Sequence, residues 1–327
     1  MSSEIKRIAV FTSGGDAPGM NAAVRAVVRT AAFNDLHVYG IARGYEGMID
    51  GDLKRLEVRD VGNIMHRGGT VLKTARSKRF MTPEGRKAAY ESLLAFDIDA
   101  CVAIGGNGTF TGAEVFTTEY DIPIIGVPGT IDNDLYGTDA TIGFDTAINT
   151  AIQAVDKIRD TADSHNRLFF VEVMGRNSGF IALNTGIGSG AGCILIPEID
   201  SNIDELVELL RKGARRKKLF SVVIVAEGNK YGGASEIAQQ VQDSFDHYDT
   251  KVAIIGHLQR GGSPSALDRV LASRLGFGAV EAILAGRSKC MVGIINNKIK
   301  YTSFEDAISK NKHPNKDLVR MAQILAI

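Results

Sequence analysis

Six short apolar runs, each closed by a glycine-rich or polar loop, constrain the fold of this chain more than anything else in it. They cover residues 8–11, 100–104, 122–127, 168–173, 221–226 and 252–256. Such runs are almost wholly apolar (Glu172 and Ser221 are the exceptions) instead of alternating with polar residues, the pattern of strands buried on both faces of a largely parallel sheet. Helical patterns lie between them. Residues 21–32 are rich in Ala and Val, with Arg25 and Arg29 interspersed, and 145–159 set Ile148, Ile152 and Val155 on one face at spacings of four and three. Strands alternating with helices predict a doubly wound α/β architecture. In that architecture ligands bind beyond the carboxyl ends of the strands, where this chain puts many of its 36 glycines.

Length and charge narrow the function. The 327 residues, 44% of them hydrophobic, suit two ordinary domains or one large one, with a substantial core. Lys plus Arg and Asp plus Glu stand at 38 each, so no global field draws the chain to nucleic acid. The absence of an apolar run of about 18 residues argues against a membrane span. The opening Met1-Ser2-Ser3-Glu4-Ile5-Lys6-Arg7 lacks the order of a signal peptide. Cys101, Cys193 and Cys290 are odd in number and far apart, which suggests neither a disulfide framework nor a zinc site. The expected compartment is the reducing cytoplasm. No repeat, low-complexity tract or linker marks a domain border.

Three loops carry candidate chemistry. Ser13-Gly14-Gly15-Asp16-Ala17-Pro18-Gly19-Met20-Asn21 joins a strand to a helix. Its glycines would let backbone N–H groups approach a phosphate at a helix start. Without a following Gly-Lys-Ser/Thr it is not a Walker loop, and a ligand-free tight turn is an equal reading. Gly105-Gly106-Asn107-Gly108-Thr109 also follows a strand, but Thr111 stands where the dinucleotide fingerprint needs its last glycine. Two such loops favour a polyphosphate ligand over a nicotinamide one. In Pro128-Gly129-Thr130-Ile131-Asp132-Asn133-Asp134 the aspartates are two apart. In an extended loop they would share a side and could serve as a base and a metal ligand. Spacing alone favours an Asx-rich turn. Arg76, Arg167, Arg176 and Arg260 flank glycines or predicted strand ends, where guanidinium groups could clamp phosphates.

In combination these strings are specific. Thr12-Ser13-Gly14-Gly15-Asp16-Ala17-Pro18-Gly19-Met20-Asn21, the 128–134 segment, Val173-Met174-Gly175-Arg176 and Gly256-His257-Leu258-Gln259-Arg260-Gly261-Gly262-Ser263-Pro264 closely resemble bacterial ATP-dependent 6-phosphofructokinases, in order and spacing over nearly the whole chain. The resemblance implies two Rossmann-like doubly wound domains with the active site in the cleft between them. Residues 1–143 plus 259–309 would form the larger, ATP-binding domain, and 144–258 plus 310–327 the smaller, fructose 6-phosphate-binding one. It implies phosphorylation of the 1-hydroxyl of fructose 6-phosphate by magnesium ATP. Asp132 matches the base, Thr130 a sugar contact near the reacting hydroxyl, and Asp134 a magnesium-side carboxylate. Arg76 and Arg176 match residues that neutralise the transferred phosphoryl group. Gly15, Tyr45, Arg76, Ser77, Gly106, Asn107, Gly108 and Thr109 match the nucleotide site. Met174, Gly175, Arg176, Glu227, His257 and Arg260 match the sugar phosphate site. Arg167 and Lys251 match basic residues that reach the 6-phosphate from a neighbouring subunit of a homotetramer. Pyrophosphate-dependent relatives carry Asp and Lys where Gly108 and Gly129 stand, so ATP is the expected donor.

The chain departs from the family pattern at several places. Asn107, expected to ligate magnesium, replaces an Asp, and an amide oxygen brings no charge. Lys251 replaces an Arg and loses its bidentate fork. Arg25, Arg29, Arg159, Arg216 and Lys218 match positions for regulatory ADP or phosphoenolpyruvate. Yet Gly192 replaces a metal-binding Glu, Val58-Arg59 an Arg-Tyr pair, and Phe220 a His. Two other readings stay open at this stage: a pyrophosphate-dependent enzyme, and a nucleotide-binding subunit without catalysis. An oxidoreductase is disfavoured because the dinucleotide fingerprint is incomplete.

Overall fold

A computed structural model describes residues 5–163, 167–200, 202–215 and 222–325. The apolar runs become strands and the patterned stretches between them become helices. In chain order the first elements are β1 (Arg7–Thr12), α1 (Met20–Phe33), β2 (His37–Ile41), α2 (Gly44–Asp50) and β3 (Leu53–Leu56). Next come α3 (Pro83–Ala95), β4 (Ala100–Gly105), α4 (Asn107–Glu119), β5 (Ile124–Pro128) and α5 (Phe144–Asp163). Then follow β6 (Arg167–Val173), α6 (Phe180–Ser189), β7 (Cys193–Leu195), α7 (Ile203–Arg215), β8 (Val222–Ala226), α8 (Ala234–Ser244) and β9 (Asp249–Ile254). The last are α9 (Ala266–Leu284), β10 (Cys290–Ile295), β11 (Lys298–Ser303), α10 (Phe304–Ser309) and α11 (Lys316–Leu325). β5 starts two residues inside its apolar run because Pro123 has no N–H to offer a ladder. Ser221, the first residue of the fifth run, lies outside the described residues.

The chain divides into two compact units. The first comprises 1–130, 135–146 and 260–312; the second comprises 131–134, 147–259 and 313–327.

The first unit holds a sheet in the order β11-β10-β5-β4-β1-β2-β3. Its five inner strands run parallel, while β3 and β11 pair antiparallel at the edges. Ala9, Phe11, Cys101 and Ala103 join an aromatic-rich cluster with Tyr45, Phe80, Phe110, Phe116 and Phe304. One residue along, Ile8, Val10, Val102 and Ile104 are equally buried. Alternate residues of a strand point to opposite faces, so covering both faces demands the continuous apolar runs seen in the sequence. Elsewhere α1 packs on α9 so closely that a Cβ added to Gly276 would lie 2.7 Å from the Ala23 carbonyl oxygen. That approach explains the Ala and Gly content of these helices.

From β1 the chain winds outward to β2 in one direction, and β4 and β5 wind in the other. The reversal falls between β1 and β4, the switch point where an open α/β sheet forms a ligand crevice.

The second unit holds the parallel sheet β7-β8-β6-β9. Leu168, Phe170, Val223 and Val225 pack with Leu206, Leu210, Ile237 and Val241 from its helices. The sequence reading of 252–256 as a buried strand needs correction. The strand runs Asp249–Ile254 with Val252 39% and Ile254 61% exposed, because β9 is the sheet edge and has one neighbour. Gly256–Arg260 is a 3-10 turn.

Candidate active site

The loops after β1 and β4 are knitted together at the switch point. Ser13 N donates to Ile104 O at 3.0 Å, and Thr109 Oγ1 donates to Ser13 O at 3.1 Å. The helices that follow, α1 and α4, start at Gly19 and Gly106, and neither N-terminus has a side-chain cap. Uncapped N–H groups and the positive end of the helix dipole suit an anion. The exposed Gly15 lies against Arg260, whose Nη1 donates to Asp16 O at 3.2 Å; a Cβ on Gly15 would sit 2.4 Å from that nitrogen.

Residues 68–77 are tied to the same strand end. Thr12 Oγ1 donates to Lys73 O at 2.8 Å and Thr74 Oγ1 donates to Gly14 O at 2.7 Å. These bonds bring the exposed Arg76 beside the first loop. Ser77 Oγ donates to Glu46, whose carboxyl is held below the usual range by Ser77 and Arg79. Tyr45 is 5% exposed, stacks on Phe80 at 3.9 Å and donates its hydroxyl to Thr109 O at 2.6 Å. Burial first pushes that hydroxyl's pKa far above the ordinary tyrosine value. Tyr45 therefore supports the start of α4 from beneath.

Gly108 and Gly129 have different reasons to be glycine. A Cβ on Gly108 would meet nothing within 4 Å, whereas one on Gly129 would lie 3.0 Å from Ile104 and 3.1 Å from Met20. Packing within the protein accounts for Gly129 but not for Gly108.

The 128–134 segment starts as the end of β5. Gly129 N donates to Gly105 O and Ile142 N to Pro128 O, each at 2.9 Å, and Thr141 Oγ1 donates to Thr130 O at 2.6 Å. Residues 131–134 belong to the second unit. There Ser178 Oγ donates to Asp132 O at 3.1 Å, and Asp132 and Asn133 are each 3% exposed. The extended geometry that would put both aspartates on one side is not found, and spacing already favoured a turn here. Asn133 has φ +52°, a left-handed conformation that asparagine tolerates. The two-residue alternation therefore lapses: Asp132 is buried while Asp134 is partly exposed.

Within the second unit the turn after β6 carries Met174, Gly175 and Arg176. Met174 N donates to Gln259 Oε1 at 2.9 Å, and Gly175 N and Arg176 N both donate to Glu227 Oε1, at 3.2 and 2.6 Å. Arg176 takes φ +54°, and its backbone runs so close to Gly228 that a Cβ there would lie 1.9 Å from Arg176 O. Gln259, fully buried, went without a role in the sequence reading. Its one signal was an amide standing between His257 and Arg260.

Arg167 and Lys251 lie on the neighbouring strands β6 and β9 and share Asp249, at 3.1 and 2.6 Å. Both cations hold that carboxyl below its usual range, Lys251 more than Arg167. His257 is exposed on the 3-10 turn.

Of the effector candidates, Arg25 and Arg29 lie four apart on α1. The pKa of Arg25 is lowered by burial first and by Arg29 second. Arg159 of α5 donates to Ser189 O. Arg216, Lys218 and Phe220 fall outside the described residues.

Comparison with known proteins agrees with this geometry. The phosphofructokinase family profile matches residues 7–283. The ATP-dependent 6-phosphofructokinase 2 of Bacteroides thetaiotaomicron is 54% identical over 323 residues, 99% of either chain. The structure resembles T-state phosphofructokinase from Pichia pastoris with a TM-score of 0.88 and 37% identity, over 99% of this chain and 37% of that longer one. It resembles pyrophosphate-dependent phosphofructokinase from Marinobacter aquaeolei with a TM-score of 0.84 and 27% identity, over 98% of this chain and 92% of the other. The chain belongs to the phosphofructokinase family.

Proposed function

We propose that this protein transfers the terminal phosphoryl group of ATP to the 1-hydroxyl of fructose 6-phosphate, giving fructose 1,6-bisphosphate and ADP. The observation that carries the reading is the pair of uncapped helix starts, α1 and α4, hydrogen-bonded through Ser13 and Thr109 at the switch point of the first sheet. Two such starts provide backbone N–H groups for a polyphosphate. Gly15, Gly106, Asn107, Gly108 and Thr109 line that side, with Tyr45 holding the Thr109 carbonyl and Ser77 beside it on the neighbouring loop. The first unit takes the nucleotide. Met174, Gly175, Arg176, Glu227 and His257 of the second unit serve the sugar phosphate, together with Arg260 of the first.

Phosphoryl transfer needs alignment and charge neutralisation more than covalent chemistry. Asp132 takes the proton of the attacking hydroxyl, and Thr130 orients it. Arg76 and Arg176 stabilise negative charge on the phosphoryl oxygens. Asn107 offers an amide oxygen and Asp134 a partly exposed carboxylate, a donor set that fits magnesium, which is bound through one or two protein oxygens and the substrate's phosphates. Asn107 and Asp134 would hold it, and it would neutralise charge on the phosphates.

Pyrophosphate is the rival donor. The free space at Gly108 favours ATP, because protein packing does not require glycine there. Arg167 and Lys251, on the strand β9 and its neighbour at the edge of the second sheet, would reach a neighbouring subunit's 6-phosphate in a homotetramer. Arg25, Arg29 and Arg159 would serve an anionic effector. No described helix is long and apolar enough to cross a membrane.

The reading is tested by fructose 1,6-bisphosphate formation with ATP or pyrophosphate. ATP should support turnover and pyrophosphate should not. Asp132→Asn should lower kcat by about 10²- to 10⁴-fold, the range for a lost general base, while fructose 6-phosphate still binds. Equal turnover in the variant would remove Asp132 from its role.

A further inference from the structure

Asp268 is a buried carboxylate to which the proposed chemistry gives no part. It lies in the first turn of α9 and is 1% exposed. Burying a carboxylate is costly unless several donors meet it, and here three do. Gly143 N donates to Oδ1 at 2.8 Å, and Thr146 N and Thr146 Oγ1 donate to Oδ2 at 2.8 and 2.5 Å. The carboxylate of α9 thereby caps the start of another helix, α5. Thr146 Oγ1 in turn accepts from Ser265 N at 2.9 Å, and Ser265 Oγ accepts from Asp268 N at 3.2 Å. The network closes on itself across the starts of both helices.

What this network holds is the strand-like segment beside the reacting loop. Residue 142, next to Gly143, bridges Gly129 and donates its N–H to Pro128 O; Thr141 donates its hydroxyl to Thr130 O. The start of α1 also rests here, since a Cβ on Gly19 would lie 2.7 Å from Ile142 and 3.5 Å from Asp268. A single carboxylate therefore holds, through residues 141–143, the backbone of Thr130, and it lies near Gly19 at the end of the first loop.

We infer that Asp268 is a positioning residue for phosphoryl transfer, acting through Thr146 and residues 141–143 on Thr130. This rests on the kinase reading above. Asn at this position presents an amide where two N–H groups and a hydroxyl now donate, so at least one of those bonds turns into a donor–donor conflict. A displacement of about 1 Å at a reacting group can cost about a hundredfold in rate.

The test compares Asp268→Asn, Thr146→Val and Thr146→Ser with the native enzyme, using product formation, affinity for a non-hydrolysable ATP analogue and thermal unfolding. For Asp268→Asn and Thr146→Val, kcat should fall about tenfold to a hundredfold, with less than about a threefold change in either KM or in analogue affinity. Thr146→Ser keeps the hydroxyl and should restore most of the rate. A native-like kcat in Thr146→Val, or an equal loss in Thr146→Ser and Thr146→Val, would overturn the inference. So would a rate loss no larger than the loss of folded protein. If Asp268→Asn does not fold, the two Thr146 variants decide alone. If the native protein forms no product, the kinase reading fails, and this one fails with it for that separate reason.

Discussion

At the scale of single residues, the proposed donor choice and metal use turn on two positions in one loop. Gly108 faces open space, so Gly108→Asp should leave the melting temperature unchanged while kcat/KM for ATP falls about tenfold to a hundredfold, through repulsion between the carboxylate and the nucleotide phosphates. An unchanged kcat/KM would show that this space is not where the nucleotide lies. Gly129 differs because Ile104 and Met20 fill the space a side chain would need. The sequence marks this glycine as a donor discriminator, and a side chain there would also need Ile104 and Met20 to give by a few tenths of an ångström. Asn107, at the first position of α4, contributes an amide where a carboxylate would add charge. Asn107→Asp should lower the magnesium concentration for half-maximal rate by about threefold to tenfold. Superimposable magnesium titrations would count against Asn107 as a ligand.

At the scale of elements, α3 and α4 are joined by a two-pronged ion pair that composition does not reveal. Arg86 donates from Nε and Nη2 to Glu119, both at 2.6 Å, and from Nη1 to Met81 O at 2.9 Å. Its side chain is 10% exposed and that of Glu119 is 34% exposed. Hydrogen bonds from Arg86 hold the Glu119 carboxyl below its usual range. A carboxyl with a lowered folded pKa adds stability above its unfolded value and loses it as pH falls through the folded value. Glu119→Gln should therefore cost about 1 kcal/mol near neutral pH, and the gap to the native protein should close as pH falls below about 4.3. Denaturant unfolding at pH 7 and pH 3 checks this; an equal gap at both would rule out the charge as its source. Strands β1, β4, β5, β6 and β8 were legible because burial on both faces leaves an apolar run, and helices α1 and α5 because their apolar residues recur at helical spacing; β2, β7, β10 and the 19-residue α9 were not read. β9 was misread because an apolar run does not say whether a strand ends up central or at the sheet edge. The edge strands β3 and β11 gave little signal, since in each polar residues stand among the apolar ones and much of the strand is exposed.

At the scale of the whole molecule, the proposed assembly depends on Arg167 and Lys251 being given to another subunit's site. Mixing Asp132→Asn chains with Arg167→Ala chains, followed by dissociation and reassembly, should give activity above either parent, because some sites then combine an intact Asp132 with an intact Arg167. No gain over the parents would place Arg167 in its own subunit's site or outside any site. The candidate residues were legible mainly through short strings at strand ends, where a ligand dictates residue type. Asp268 and Gln259 were not legible as functional. Asp268 reads as an ordinary helix-start acid, and its partners Gly143 and Thr146 lie 125 and 122 residues away in the chain.

The sequence by itself determined the α/β class, the buried strands and the loops that match one enzyme family, because periodicity and ligand-facing glycines are local properties. Tertiary structure decided the rest. It put β9 at an edge and turned the chain at Asn133, with Asp132 buried and Asp134 partly exposed. It also showed that Gly129 answers to packing and Gly108 does not. Each of these depends on which distant atoms come to lie within a few ångströms, and the chain order of residues does not encode that locally.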